Sequence, residues 1–238
     1  MRLLLLSNST NFGERWLEWP LVHIEAQLAG ARDVFFVPFA AVRTTWDDYA
    51  DALRQRLEPL GCEVHSAHQL ASPAVAVRDA AAIAIGGGNT FRLLQQLYLN
   101  GLIEPIRHAV QSGARYLGWS AGSVVACPSI RTTNDMPIVE PPAFAALSLV
   151  PFQVNAHYTE ARLPSHNGET RPERLEEFLA VNPESTVAAL PEGTGILVDG
   201  AAARLIGTSG CMIYHGKLPP ESYPAGADLS FLLGSSGQ

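Results

Sequence analysis

Four stretches of this chain are apolar almost without interruption and then stop abruptly at small or polar residues. They are RLLLLS (2–7), DVFFVPFA (33–40), AAIAIGGG (81–88) and ARYLGWS (114–120). A strand covered on both faces has no polar side to alternate with, so runs of this kind belong inside a parallel sheet. Helical segments separate them. One covers 16–28 and closes at Gly30. The next opens at Thr44 or Thr45 with Asp47 and Asp48 in its first turn, and it meets Gly61 at its end. A strand at 62–68, a helix from Asn89 or Thr90 to Gly101 and a helix at 103–111 complete the alternation. The pattern defines the α/β class: a single-domain, doubly wound, mostly parallel sheet with helices on both faces.

The second half is less regular. Strands are expected at 152–158 and 185–193 with a helix at 171–181 between them. A hairpin turning at Asp199-Gly200 and a last short strand at 211–217 follow. Pro, Gly and Ser dominate after Leu218, so the domain is expected to span 1–218, with 219–238 as a loosely packed tail.

At 238 residues and 47% hydrophobic content the chain can bury one large core. Only 16% of residues are charged, which suits extensive buried β-structure or a surface covered by a second copy in a homodimer. The net charge of −7, with no basic run, argues against nucleic acid and anionic membranes as partners. The apolar start MRLLLLSNST is too short for a signal segment or a span. Cys62, Cys127 and Cys211 lie too far apart for a metal clip or a disulfide framework. The expected location is the cytoplasm.

Ligands of open α/β sheets bind at the carboxyl ends of the strands. Polar or glycine-rich chemistry gathers there at GGGNT (86–90), GWSAG (118–122), NAHYT (155–159) and LPEGT (190–194). GWSAG fits the G-x-S-x-G of a nucleophile elbow. Gly118 and Gly122 leave room for a sharp strand-to-helix turn at Ser120, and Ala121 offers a backbone N–H. A plain strand–helix packing turn needs the same small residues, so the neighbouring strand ends carry the functional reading. A serine hydroxyl needs a base, and His157 lies past a strand end. His23, His65, His68, His108, His166 and His215 lie on helices, near other strands or in polar segments. The base needs an orienting carboxylate, and both Asp135 in RTTNDMP and Glu192 in LPEG qualify. Gly88 and Ala121 could pair their N–H groups on an oxyanion. No G-x-G-x-x-G and no loop lysine accompany the glycines, which disfavours a nucleotide cradle.

Taken together, GGGNTF, GWSAGS, RTTNDMPIV, NAHYT, GETR and LPEGT resemble the peptidase E family of bacterial cytoplasmic aspartyl dipeptidases. The likeness runs from Met1 to about Gly216. It implies a class I glutamine amidotransferase-like (flavodoxin-like) fold, with serine where those enzymes carry cysteine. It also implies metal-free, cofactor-free hydrolysis of dipeptides that begin with aspartate. The family's nucleophile falls on Ser120 and its histidine on His157, while its acid falls on Glu192 or Asp135. An Asp-X substrate needs a cation for its side chain, with Arg171 in GETR the first choice and Arg131 the second. NAHYT departs from the family's more usual Pro-His-Phe. Two alternatives stay open: an aspartyl-peptide hydrolase of the cyanophycinase type, and a non-catalytic binding protein on the same scaffold.

Overall fold

The computed structural model describes residues 1–162 and 167–234. In chain order the elements are β1 (Arg2–Leu6), α1 (Leu21–Leu28), β2 (Asp33–Val37), α2 (Trp46–Leu57), β3 (Glu63–Ser66), α3 (Pro73–Ala76), β4 (Ala82–Ile85), α4 (Thr90–Leu99) and α5 (Ile103–Gln111). There follow β5 (Arg115–Trp119), α6 (Ala121–Val124), β6 (Gln153–Ala156), α7 (Arg171–Val181), β7 (Thr186–Leu190), β8 (Thr194–Asp199), β9 (Ala202–Gly207), β10 (Cys211–His215) and β11 (Glu221–Tyr223).

Seven strands form the main sheet in the order β3-β2-β4-β5-β1-β8-β9. The first five are parallel, and the β8–β9 hairpin adds on antiparallel to β1. The all-apolar run of β1 is explained by burial on both faces. Leu3 and Leu5 belong to the core under α4, α5 and α6, while Leu4 and Leu6 belong to the core under α1 and α2. All four are fully buried. The doubly wound α/β reading therefore holds, with helices on both faces.

The sheet count differs from the expectation of one sheet. β6, β7, β10 and β11 form a second sheet in the order β11-β10-β7-β6. β7 shows why it is separate: Ala188 and Leu190 point into the large shared core, and Val187 and Ala189 pack with Leu175 and Leu179 of α7. Residues 219–234 are not the loose tail expected from composition. β11 pairs with β10, Leu229 N–H donates to Ala203 O (2.8 Å), and Leu229 and Leu232 are buried. Two well-placed leucines outweigh the Pro, Gly and Ser between them. Residues 235–238 of the expected tail lie outside the described residues.

Boundaries shift where proline intervenes. The helix expected at 16–28 begins only at Leu21, because Pro20 cannot donate an interior hydrogen bond and its ring blocks the preceding turn. The strand expected at 33–40 stops at Val37, before Pro38. The strand expected at 62–68 covers Glu63–Ser66 and then tightens into a 3₁₀ turn. Thr45, not Thr44, caps α2, its hydroxyl accepting from Asp48 N (3.1 Å). Asn89 caps α4 in the same way through Arg92 N (3.0 Å).

Candidate active site

Ser120 stands between β5 and α6 at φ 52°, ψ −115°. Positive φ is uncommon for a residue with a Cβ and marks a turn held by its surroundings. The surroundings are tight: a Cβ at Gly118 would lie 2.5 Å from Gly122 O, and one at Gly122 would lie 2.0 Å from Ile85 O. Only glycine at both sites lets α6 start directly against the end of β4. Ser120 N–H donates to Leu6 O (2.9 Å), and Ser123 Oγ donates to Leu6 O (2.7 Å) and Gly118 O (2.9 Å). The serine is thereby anchored between β1 and β5 at the carboxyl edge of the sheet.

His157 follows β6 directly and also has positive φ, at 54°. Its Nε2 lies 2.9 Å from Ser120 Oγ and its Nδ1 lies 2.8 Å from Glu192 Oε1. A carboxylate only accepts, so Nδ1 carries the proton and the lone pair of Nε2 faces the serine hydroxyl. Glu192 sits in the turn between β7 and β8. Gly193 in that turn has φ 74°, and its N–H donates to Asn8 Oδ1 (2.8 Å). Ser7 joins the two loops: its hydroxyl donates to Leu190 O (2.7 Å) and accepts from His157 N–H (2.9 Å). Sequence reasoning overlooked Ser7 and Asn8. The signal was present, since SNST is a fifth polar strand end beside the four identified.

Of the two carboxylates left open by the sequence, the structure brings Glu192 to His157 and leaves Asp135 elsewhere. Asp135 Oδ2 accepts from Thr90 N (2.7 Å) and Thr90 Oγ1 (2.5 Å) at the start of α4. That location stabilises a negative charge and removes Asp135 from the histidine. The segment carrying it is stapled to β6 by Asn134 Nδ2 donating to Ala156 O (2.8 Å) and Asn155 Nδ2 donating to Thr132 O (2.8 Å).

Arg171 opens α7 behind a capping box formed by Thr170 and Glu173. Burial and nearby Arg174 work against its charge, while Asp135 favours it. Its Nη1 is shielded from solvent and has no acceptor among the described residues. A half-buried guanidinium with an unfilled N–H is suited to an incoming anion. Arg131 is different. It is exposed, and its Nη1 reaches Asn182 Oδ1 at 3.4 Å, at the far end of α7 from Arg171.

Gly88 and Ala121 donate their N–H groups to no acceptor among the described residues. Gly87 brings the first of these turns against the serine, since a Cβ there would lie 3.1 Å from Ser120 Cβ. Gly88 itself has φ 138°, and an added Cβ would lie 2.2 Å from Ala40 O. The remaining described histidines lie elsewhere: His68 bridges Ser66 and Asp47, and His215 bonds Thr186. His166 lies outside the described residues. Among the described residues, Asp33, Glu63 and His65 could together face a metal ion. They are at the opposite edge of the parallel strands, where β2 and β3 begin.

A serine, a histidine and a glutamate aligned at the carboxyl edge of a doubly wound sheet define a hydrolase-type site. The chain belongs to peptidase family S51, whose model matches residues 3–206. It is 48% identical over 231 residues to Peptidase E of Shigella flexneri, covering 97% of this chain and 100% of that one. It is 46% identical over 234 residues to Peptidase E of Nostoc sp., covering 98% and 96%. It is 50% identical over 215 residues to Peptidase E of Citrobacter koseri, covering 90% and 94%. A crystal structure of a peptidase from an acI-B1 Actinobacterium superposes with a TM-score of 0.71 at 20% identity, covering 97% of this chain and 96% of that one. A putative Peptidase E protein from Listeria monocytogenes gives 0.62 at 24%, covering 87% and 98%. These likenesses agree with the amidotransferase-like α/β fold. No helix among the described residues is long and apolar enough to cross a membrane.

Proposed function

We propose that this peptidase is a cytoplasmic, serine-type dipeptidase that cleaves Asp-X. The observation carrying the proposal is the continuous hydrogen-bonded line from Ser120 through His157 to Glu192. Ser120 Oγ attacks the aspartyl carbonyl as its proton passes to His157 Nε2, and Glu192 stabilises the imidazolium from the Nδ1 side. The N–H groups of Gly88 and Ala121 receive the developing oxyanion. His157 then protonates the leaving amine, and water, deprotonated by the same imidazole, hydrolyses the aspartyl ester. Arg171 takes the aspartate side chain, and Asp135, whose Oδ1 has no described donor, takes the free α-amino group. A pocket of about 420 Å³ lined by Ala40, Ala41, Val42, Tyr49, Gly88 and Ile138 offers apolar walls to the second residue.

Purified protein is expected to release leucine from Asp-Leu in the presence of a chelator. Glu-Leu and an aspartyl-arginine polymer are expected to be poor substrates. An inert wild type, or a preference for the polymer, overturns the reading.

The two carboxylates should separate kinetically. Glu192→Gln keeps the hydrogen bond to Nδ1 poorly and loses the charge, so kcat is expected to fall by about 10- to 100-fold, less than for a buried partner because Glu192 is exposed. Asp135→Asn is expected mainly to raise KM. Equal kcat losses in both would contradict this division. For Arg171→Met, kcat/KM on Asp-Leu is expected to drop about 100-fold, with Asn-Leu hydrolysis, however slow, unaffected, because only the charged side chain needs the guanidinium. Parallel losses on both peptides would remove Arg171 from the specificity pocket.

A further inference from the structure

We infer that Tyr49 is a positioning residue that sets the oxyanion-binding peptide between Gly87 and Gly88. The inference rests on the serine-peptidase reading of the same site. Trp119 Nε1 donates to the Tyr49 hydroxyl at 2.8 Å, and that hydroxyl donates to Gly87 O at 3.2 Å. Both capacities of the phenol are thereby used in one line from the residue before Ser120 to the glycine turn. The ring is fixed by its neighbours: Phe36 meets it edge-on at 5.2 Å, and Trp16 and Trp119 lie at 5.9 and 6.3 Å. Burial raises the phenol well above its usual range, so it stays a neutral donor.

The geometric consequence follows from the planarity of the peptide. The described chain has no cis bonds, and in a trans peptide the C=O and the next N–H point in opposite directions. Holding Gly87 O toward the aromatic cluster therefore holds Gly88 N–H away from it. A Gly-Gly peptide is the least constrained pair a chain can contain, so its orientation needs an external anchor. If the peptide turned over, a carbonyl oxygen would replace an N–H next to the oxyanion, which repels the charge it should stabilise. Neighbouring anchors hold the rest of the turn: Gly86 N–H donates to Val37 O (3.0 Å) and Asn89 N–H to Ala40 O (2.8 Å). Tyr49 supplies the side-chain anchor to the peptide between them. Replacing it leaves Gly88 in place but free to rotate.

The test is Tyr49→Phe, which keeps the ring and removes the hydroxyl. Its kcat on Asp-Leu is expected to fall by about 10- to 100-fold, somewhat less than for outright loss of one oxyanion donor. KM should change less than about twofold, because the ring that lines the pocket for the second residue is kept and only the hydroxyl bonded to Gly87 O is lost. An aspartyl aldehyde, which forms a tetrahedral oxyanion on the serine, should bind more weakly by the same factor as the kcat loss. Binding of intact Asp-Leu to Tyr49→Phe/Ser120→Ala, by calorimetry, should match Ser120→Ala alone. A merely structural role would weaken both ligands together. Should Tyr49→Phe fail to fold, Trp119→Phe removes the donor that orients the phenol, and a kcat-only loss is expected there too. Unchanged kcat, or equal losses in aldehyde and peptide affinity, overturns the proposal. If the wild type is active and Ser120→Ala is not, that result falls on Tyr49 alone. If the wild type cleaves nothing, both readings fall together.

Discussion

Ser120→Ala is expected to yield a folded protein whose kcat/KM on Asp-Leu is lower by about 10⁴-fold or more. Alanine tolerates φ 52° no worse than serine, and the turn is held by backbone and neighbour contacts that the hydroxyl does not make. Ser120 N–H to Leu6 O and the two bonds of Ser123 Oγ remain in the variant. Thermal unfolding should therefore stay close to wild type while turnover disappears. Loss of the nucleophile leaves His157 and the oxyanion donors nothing to activate. Full activity in the alanine variant would sink the covalent mechanism, and mass spectrometry of the wild type with a slow aspartyl ester should show the acyl-enzyme.

The second large effect is on stability. Gly122→Ala is expected to cost about 4 kcal/mol or more, at the extreme of single substitutions, because the new methyl would stand 2.0 Å from Ile85 O. That carbonyl belongs to β4, which is paired on both sides by β2 and β5 and cannot retreat. Relief requires α6 to lift off the sheet and carry Ser120 with it. Gly101→Ala provides the comparison. It has φ 61° with open space around it, so only conformational strain of about 1 kcal/mol applies. Urea unfolding of both variants checks the difference. A Gly122→Ala midpoint at or above that of Gly101→Ala would show that the elbow has slack.

The core strands were legible because two-sided burial leaves a mark on every residue: β1, β2 and β4 are apolar throughout their inner positions. Partition into two sheets was not legible. The apolar pattern of β7 reveals that both faces are covered, yet it does not say whether the strand lies beside β8 or beside β10. Ser120 and His157, the proposed nucleophile and base, were readable from strand ends. The acid was not, because Asp135 lies in a long irregular segment whose path is set by contacts such as Thr90 to Asp135 and Asn155 to Thr132. No local spacing encodes those. Ser7 is legible as part of a polar strand end, but its role is not, because it touches the site through the backbone N–H of His157, a contact that no local spacing encodes.

Ser120 is carried by the main sheet, whereas His157 follows a strand of the second. The proposed nucleophile and base therefore meet across a seam, and the Ser120–His157 distance of 2.9 Å depends on how two separately paired sheets are seated. On the proposed mechanism, catalytic competence depends on how the two sheets dock as well as on each sheet's own integrity. Ser7, at the end of a main-sheet strand and bonded to Leu190 at the end of β7 and to His157 just past β6, is the clasp across that seam.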